Sequence, residues 1–176
     1  MKSKDSIVEA YMHLVIEKKS SKITVKELCN KCNISRTTFY KHFHDTYHIL
    51  EYILINDSIN QTKALIDSHI DGLTVTEGWY MCFYKNKEFY YHAIKDESQN
   101  SLFNTLILQL TELNKQIYKD SILNNMSAQD IDYYAYKYAS LQAMLLKKWI
   151  VEGMKVSPKD MARYYLNNLL DEGAQY

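Results

Sequence analysis

Thr24-Val25-Lys26-Glu27-Leu28-Cys29-Asn30-Lys31-Cys32-Asn33-Ile34-Ser35-Arg36-Thr37-Thr38-Phe39-Tyr40-Lys41-His42-Phe43-His44-Asp45-Thr46 divides into two short helices and a tight turn. Thr24 with Glu27 three residues later is a capping box that starts the first helix. Asn33 ends it, because Asn tolerates the left-handed backbone that a sharp turn needs. Ser35 is an N-cap for a second helix from Arg36 to about Phe43. Cys29, small and four residues before Asn33, lets the two helices cross closely. Ile34 and Phe39 pin the second helix on the first. Arg36, Thr37, Thr38, Tyr40, Lys41 and His42 then form an exposed set of donors suited to phosphates and base edges. This is helix-turn-helix logic.

Outward from this stretch the pattern stays helical. Ile7, Ala10, Tyr11, Leu14 and Val15 lie on one face of an expected helix from Ser6 to Lys19. Asp45 or Thr46 caps a long fourth helix that reaches toward Ile70. Residues 71–78 hold two of the four Gly and are expected to form a linker. Further helices are expected over Glu77–Tyr84, Lys87–Ile94 and Ser101–Leu123. Ser127 starts another that ends at Gly153, and Ser157-Pro158-Lys159-Asp160 starts the last with Ser at the N-cap and Pro at N1.

The composition agrees with this. Of 176 residues 47% are hydrophobic, enough for a packed core, and only four Gly and one Pro are present, too few for the turns of a β-sandwich or barrel. The fold class expected is all-α. No apolar run approaches the length of a membrane span. Three Cys and no signal-like start predict free thiols in a reducing cytoplasm. The net charge is zero, but residues 1–50 carry nine Lys and Arg against five Asp and Glu, and the remainder reverses that surplus. A small basic module joined to an acidic body suits a polyanionic partner.

Ile34-Ser35-Arg36-Thr37-Thr38-Phe39-Tyr40-Lys41-His42-Phe43 resembles the recognition-helix signature of the TetR/AcrR family of bacterial transcriptional regulators, and the resemblance runs from Ser6 to Glu51. It implies a three-helix DNA-binding head over residues 1–50, a long fourth helix, and a helical dimerisation and effector domain over residues 51–176. The turn carries Asn33 where the family usually has Gly, and Thr46 stands where many members have Lys near the start of the fourth helix. The resemblance implies a homodimeric regulator, a repressor by expectation, bound to a near-palindromic duplex and modulated by a small organic effector. The expected DNA-binding set is Thr24, Ser35, Arg36, Thr37, Thr38, Tyr40, Lys41 and His42. Residues 83–90 and 99–103 loosely resemble the branch that includes regulators of dihydroxyacetone kinase operons.

Sixteen Tyr stand against five Phe, and an aromatic cluster fills residues 79–92. Such a wall offers apolar area with a few hydroxyl donors. Trp79, Phe83, Tyr91 and Phe103 are the expected effector contacts. Two C-terminal helices have broad apolar surfaces, with Ile131, Ala135, Tyr138, Leu141, Leu145 and Trp149 on one and Met161, Ala162, Tyr165, Leu166 and Leu169 on the other. By the resemblance these two helices pair with their symmetry mates. Cys29-x-x-Cys32 lacks the second ligand pair of a structural zinc site. No cofactor or metal is expected; a metal- or haem-sensing regulator and a helical enzyme or cofactor carrier are the alternatives. No nucleophile–base pair and no Gly-rich phosphate loop supports the enzyme.

Overall fold

The computed structural model describes residues 4–98, 101–120 and 126–173, and among these the regular structure is entirely helical. The first helix, α1 (Lys4–Lys18), buries Ile7, Tyr11, Leu14 and Val15 at helical spacing. After it, α2 (Val25–Cys32) and α3 (Arg36–Tyr40) cross over a core of Leu28, Cys29, Cys32 and Phe39. Residues 41 and 42 continue α3 only as a turn, so it is shorter than the sequence predicts.

The fourth helix is one rod in three segments: α4 (Thr46–Leu54), a π-helical turn (Ile55–Ile59) and α5 (Asn60–Asp67). Asp45 is its N-cap and accepts from the His48 amide at 2.8 Å. The buried stripe steps through Ile49, Leu50, Ile53 and Leu54, then jumps to Ser58 and Ile59. That extra residue per turn is what a π-bulge inserts. Ser58 fits it by donating its hydroxyl to the Leu54 carbonyl at 2.8 Å.

The expected linker over 71–78 is a correction. Asp71 accepts from the Thr74 amide at 3.0 Å and caps α6 (Gly72–Lys85), so the helix begins five residues before the expected Glu77. Helix α6 lies close on α5 at Gly78, where a Cβ would come within 2.9 Å of Leu65 Cδ1, the movable tip of that side chain. Next comes α7 (Lys87–Ala93), followed by α8 (Leu102–Asp120) and α9 (Ala128–Val151). These last two form the most extensive helix pair, with Leu102, Leu106, Leu110 and Leu113 buried on α8 and the small stripe Ala135, Ala139 and Ala143 buried on α9. Pro158 opens α10 (Pro158–Gly173), with Ser157 accepting from the Asp160 amide at 3.2 Å. Leu123, the expected end of α8, and the Leu169 side chain lie outside the described residues.

Within one chain the two C-terminal helices bury part of their apolar surfaces. Helix α9 packs chiefly on α8, and α10 on α6. Ala135 and Trp149 are consumed inside the fold, and Ile131, Tyr138, Leu141 and Leu145 are half-buried. The uncovered face of α9 instead carries Tyr133, Tyr134, Tyr136 and Met144. No described helix is long and apolar enough to cross a membrane.

Candidate nucleic-acid interface

The turn between α2 and α3 is built as its residue types require. Thr24 accepts from the Glu27 amide at 3.2 Å, and Glu27 reaches back to the Thr24 amide at 2.8 Å. Asn33 sits at φ 50°, ψ 53°, in the left-handed region. Ser35 accepts from the Thr38 amide at 3.0 Å, and the two hydroxyls lie 2.9 Å apart. Phe39 is fully buried beneath α3 and fixes the angle of that helix.

With Phe39 inward, the opposite face is presented. Arg36, Thr37, Tyr40 and Lys41 are exposed, while Thr38 and His42 are half-buried. Tyr40 packs edge-on against Phe39 at 5.3 Å yet keeps 54% of its surface exposed, so a large aromatic with a free-facing hydroxyl stands on this face. Arg36 and Lys41 form no ion pair among the described residues. Thr24 belongs to the same end of the head, but its hydroxyl is committed to the cap, donating to Glu27 at 2.7 Å. Beside the face, His44 and His48 stack at 5.2 Å, with the His44 amide donating to His48 Nδ1 at 3.4 Å.

The Lys18 ammonium, then the Thr24 amide and hydroxyl, hold the Glu27 carboxyl down at about 2 from an ordinary 4.5. A depressed carboxyl contributes stability in full above its ordinary value and loses it as pH falls through the folded value. The wild type should therefore melt above Glu27→Gln at neutral pH. That gap in Tm is expected to close as pH falls from about 4.5 toward about 2, and a gap that stays constant would contradict the ionic cap.

Both thiols of Cys29-x-x-Cys32 are buried, and burial pushes the Cys29 thiol up. That is the reverse of a reactive thiolate. Among the described residues no three His, Cys, Asp or Glu side chains converge as a metal site would require.

In the body, Trp79 touches Phe83 at 5.1 Å and Tyr80 at 4.8 Å, Phe83 meets Tyr90 at 4.8 Å, and Tyr80 meets Trp149 at 5.3 Å. Trp149 donates its indole N–H to the Val156 carbonyl at 2.9 Å. Trp79 Nε1, the Tyr80 and Tyr90 hydroxyls and Thr62 Oγ1 are buried and find no hydrogen-bond partner among the described residues. Each such group costs about 1–3 kcal/mol. Burial, then Asp57 and Cys82, pushes the Tyr90 hydroxyl well up and keeps it a donor. Asp57, on the π-turn, accepts from Asn86 at 3.4 Å, and burial raises its carboxyl.

Of the four expected effector contacts, Trp79 and Phe83 are thus brought together. Tyr91 is half-buried under the Lys95 ammonium, 3.7 Å from its ring centre, and Phe103 lies under Lys147 at 4.8 Å. The sequence pointed to the cluster without singling out Tyr80 and Tyr90, whose buried hydroxyls distinguish them. Nothing in the sequence marked the π-turn.

The family model TetR_C_8, the transcriptional regulator C-terminal region, matches residues 76–171, more than half of the chain. The chain belongs to the TetR family of transcriptional regulators. Among its relatives is an uncharacterized HTH-type transcriptional regulator of Bacillus subtilis (strain 168), YxbF. It is 20% identical over 167 residues, 89% of this chain and 42% of that protein. The chain therefore spans about two fifths of the length of that relative. The fold is shared with a TetR-family regulator from Syntrophomonas wolfei (TM-score 0.70, 17% identity, 93% of this chain and 91% of that one). It is shared too with the dihydroxyacetone kinase operon activator DhaS (TM-score 0.65, 17% identity, 96% and 94%). A third neighbour is Thermus thermophilus FadR, a TetR-family repressor solved with lauroyl-CoA (TM-score 0.61, 15% identity, 96% and 93%). The TetR assignment removes the helical-enzyme alternative.

Proposed function

We infer that this TetR-family chain is a homodimeric regulator that reads duplex DNA with α3 and responds to a small organic effector held in its body. The observation that carries the DNA reading is the exposed donor face of α3, with two cations unpaired among the described residues, mounted on a buried Phe39. Ser35, Arg36, Thr37, Thr38, Tyr40, Lys41 and His42 are its DNA-facing set, with Thr24 supporting it as a cap. Tyr40 is the phosphate donor in this reading and Thr38 the base-edge contact. Tyr40→Phe removes one hydroxyl without changing packing. It is expected to weaken binding by about 0.5–1.5 kcal/mol on every duplex alike. Thr38→Ala instead relaxes preference at one base step. Fluorescence anisotropy on matched duplexes separates the two, and wild-type affinity in both variants would place the contact surface elsewhere.

The uncovered face of α9 is the dimer surface in this reading. Tyr133, Tyr134, Tyr136, Leu141 and Met144 line a shallow apolar groove of about 700 Å³. A second copy covers such a face by two-fold symmetry. The bound dimer represses by occupying its operator, so reporter transcription rises when the protein is removed.

The effector reading rests on Trp79, Phe83 and the donors around them that have no partner among the described residues. An effector with an oxygen acceptor and an apolar or aromatic body satisfies Trp79 Nε1 while filling the aromatic wall. A ligand that releases DNA is expected to quench or shift Trp79 emission, and Trp79→Phe is expected to abolish that signal. An unchanged signal in Trp79→Phe would move the pocket toward Trp149.

A further inference from the structure

A cavity of about 370 Å³ lies where the head meets the body, and none of its lining residues belongs to the α3 face. The head supplies Lys19, Ser20, Ser21 and Lys22 from the corner between α1 and α2. The body supplies His92 from α7 and Lys95, Asp96 and Glu97 from the connection to α8.

The charges around it are unevenly committed. Asp96 is buried and already held, accepting from the Ser21 hydroxyl at 3.2 Å and the Ser98 amide at 3.0 Å. Tyr11 fixes the same corner by donating to the Ser21 carbonyl at 3.3 Å. Lys19, Lys22 and Lys95 form no ion pair among the described residues; the Lys95 ammonium rests on the Tyr91 ring. His92 Nδ1 is buried and without a partner among the described residues. Burial, Lys95 and Lys19 all push His92 down, against the single opposing carboxylate of Glu88. Lys19 and Lys95 therefore act on one imidazole from opposite sides of the junction, and among the described lining residues Glu97 is the further carboxylate, with no ion pair.

We propose that this cavity binds a small multivalent anion bearing phosphate or carboxylate oxygens, held by Lys19 and Lys22 of the head and by His92 and Lys95 of the body. Charge-assisted hydrogen bonds from the three ammonium groups, with a ring N–H of His92 beside them, suit such oxygens. Because the ligand touches both parts, it binds tightest at one placement of the head on the body, and so biases that placement.

The test is a proton NMR titration of the histidine imidazoles with inorganic phosphate, with chloride holding ionic strength constant and His92→Gln assigning the resonance. The His92 signal should shift saturably and its pKa should rise as the anion offsets Lys19 and Lys95. Lys19→Gln and Lys95→Gln should each weaken phosphate about tenfold, which is about 1.4 kcal/mol. Lys159→Gln, on α10, should not. Circular dichroism melting of each variant checks that its fold is intact. The proposal is overturned by a linear response, by an equal response to chloride, or by an undiminished response in folded Lys19→Gln and Lys95→Gln.

Discussion

Raising salt from about 50 to about 200 mM is expected to weaken DNA binding roughly 150-fold. The expectation follows from counting cations on one face. Arg36 and Lys41 are exposed beside Tyr40 and unpaired among the described residues. Two heads then neutralise roughly four phosphates, and each released counterion adds about 0.9 to the log–log slope, giving about −3.6. Replacing Arg36 by Gln removes one cation from each head, which should bring the slope to about −1.8. Anisotropy measured across the salt series reads both numbers. A slope near zero in the wild type would remove phosphate contact from the account.

Phe39→Ala is expected to cost about 3–5 kcal/mol, the range for emptying a buried aromatic site. Phe39 is fully buried, packs against Phe43 at 6.3 Å, and is the side chain by which α3 is seated. Its loss leaves Arg36, Thr37 and Tyr40 on a helix with no fixed angle. Thermal unfolding should start at lower temperature, and DNA binding should vanish at every salt concentration. Thr37→Ala, on the exposed side of the same helix, should change stability by no more than about 0.5 kcal/mol. Phe39→Ala with wild-type Tm and affinity would mean that α3 is held by something other than this contact.

The head was readable from the sequence because its determinants are local. A capping box, a left-handed Asn and an N-capping Ser act within three or four residues, and each is found doing so. The body was harder because its determinants are pairwise over long separations. Gly78 looks like a linker residue in isolation; its place inside α6, against Leu65 of α5, depends on a neighbour thirteen residues away. The π-turn at Ile55–Ile59 leaves no Gly or Pro signal, and only the jump in buried positions betrays it. On α9 two stripes are apolar, and periodicity cannot say which one α8 covers. The alanines took that role, leaving Tyr133 and Met144 outside. In the aromatic cluster, composition pointed to a polar-tipped apolar wall. It could not show that Trp149 finds a carbonyl partner whereas Trp79 finds none among the described residues.

Selecting duplexes from a random pool with the purified protein shows whether a dimer of this chain reads DNA through α3. The expected result is enrichment of a near-palindrome whose half-sites lie about one helical turn apart or somewhat more, near 34–36 Å. Thr38→Ala should select the same palindrome with one base step relaxed in each half. No enrichment over the starting pool, or an enriched sequence unaffected by any substitution among Arg36, Thr38, Tyr40 and Lys41, would contradict that reading.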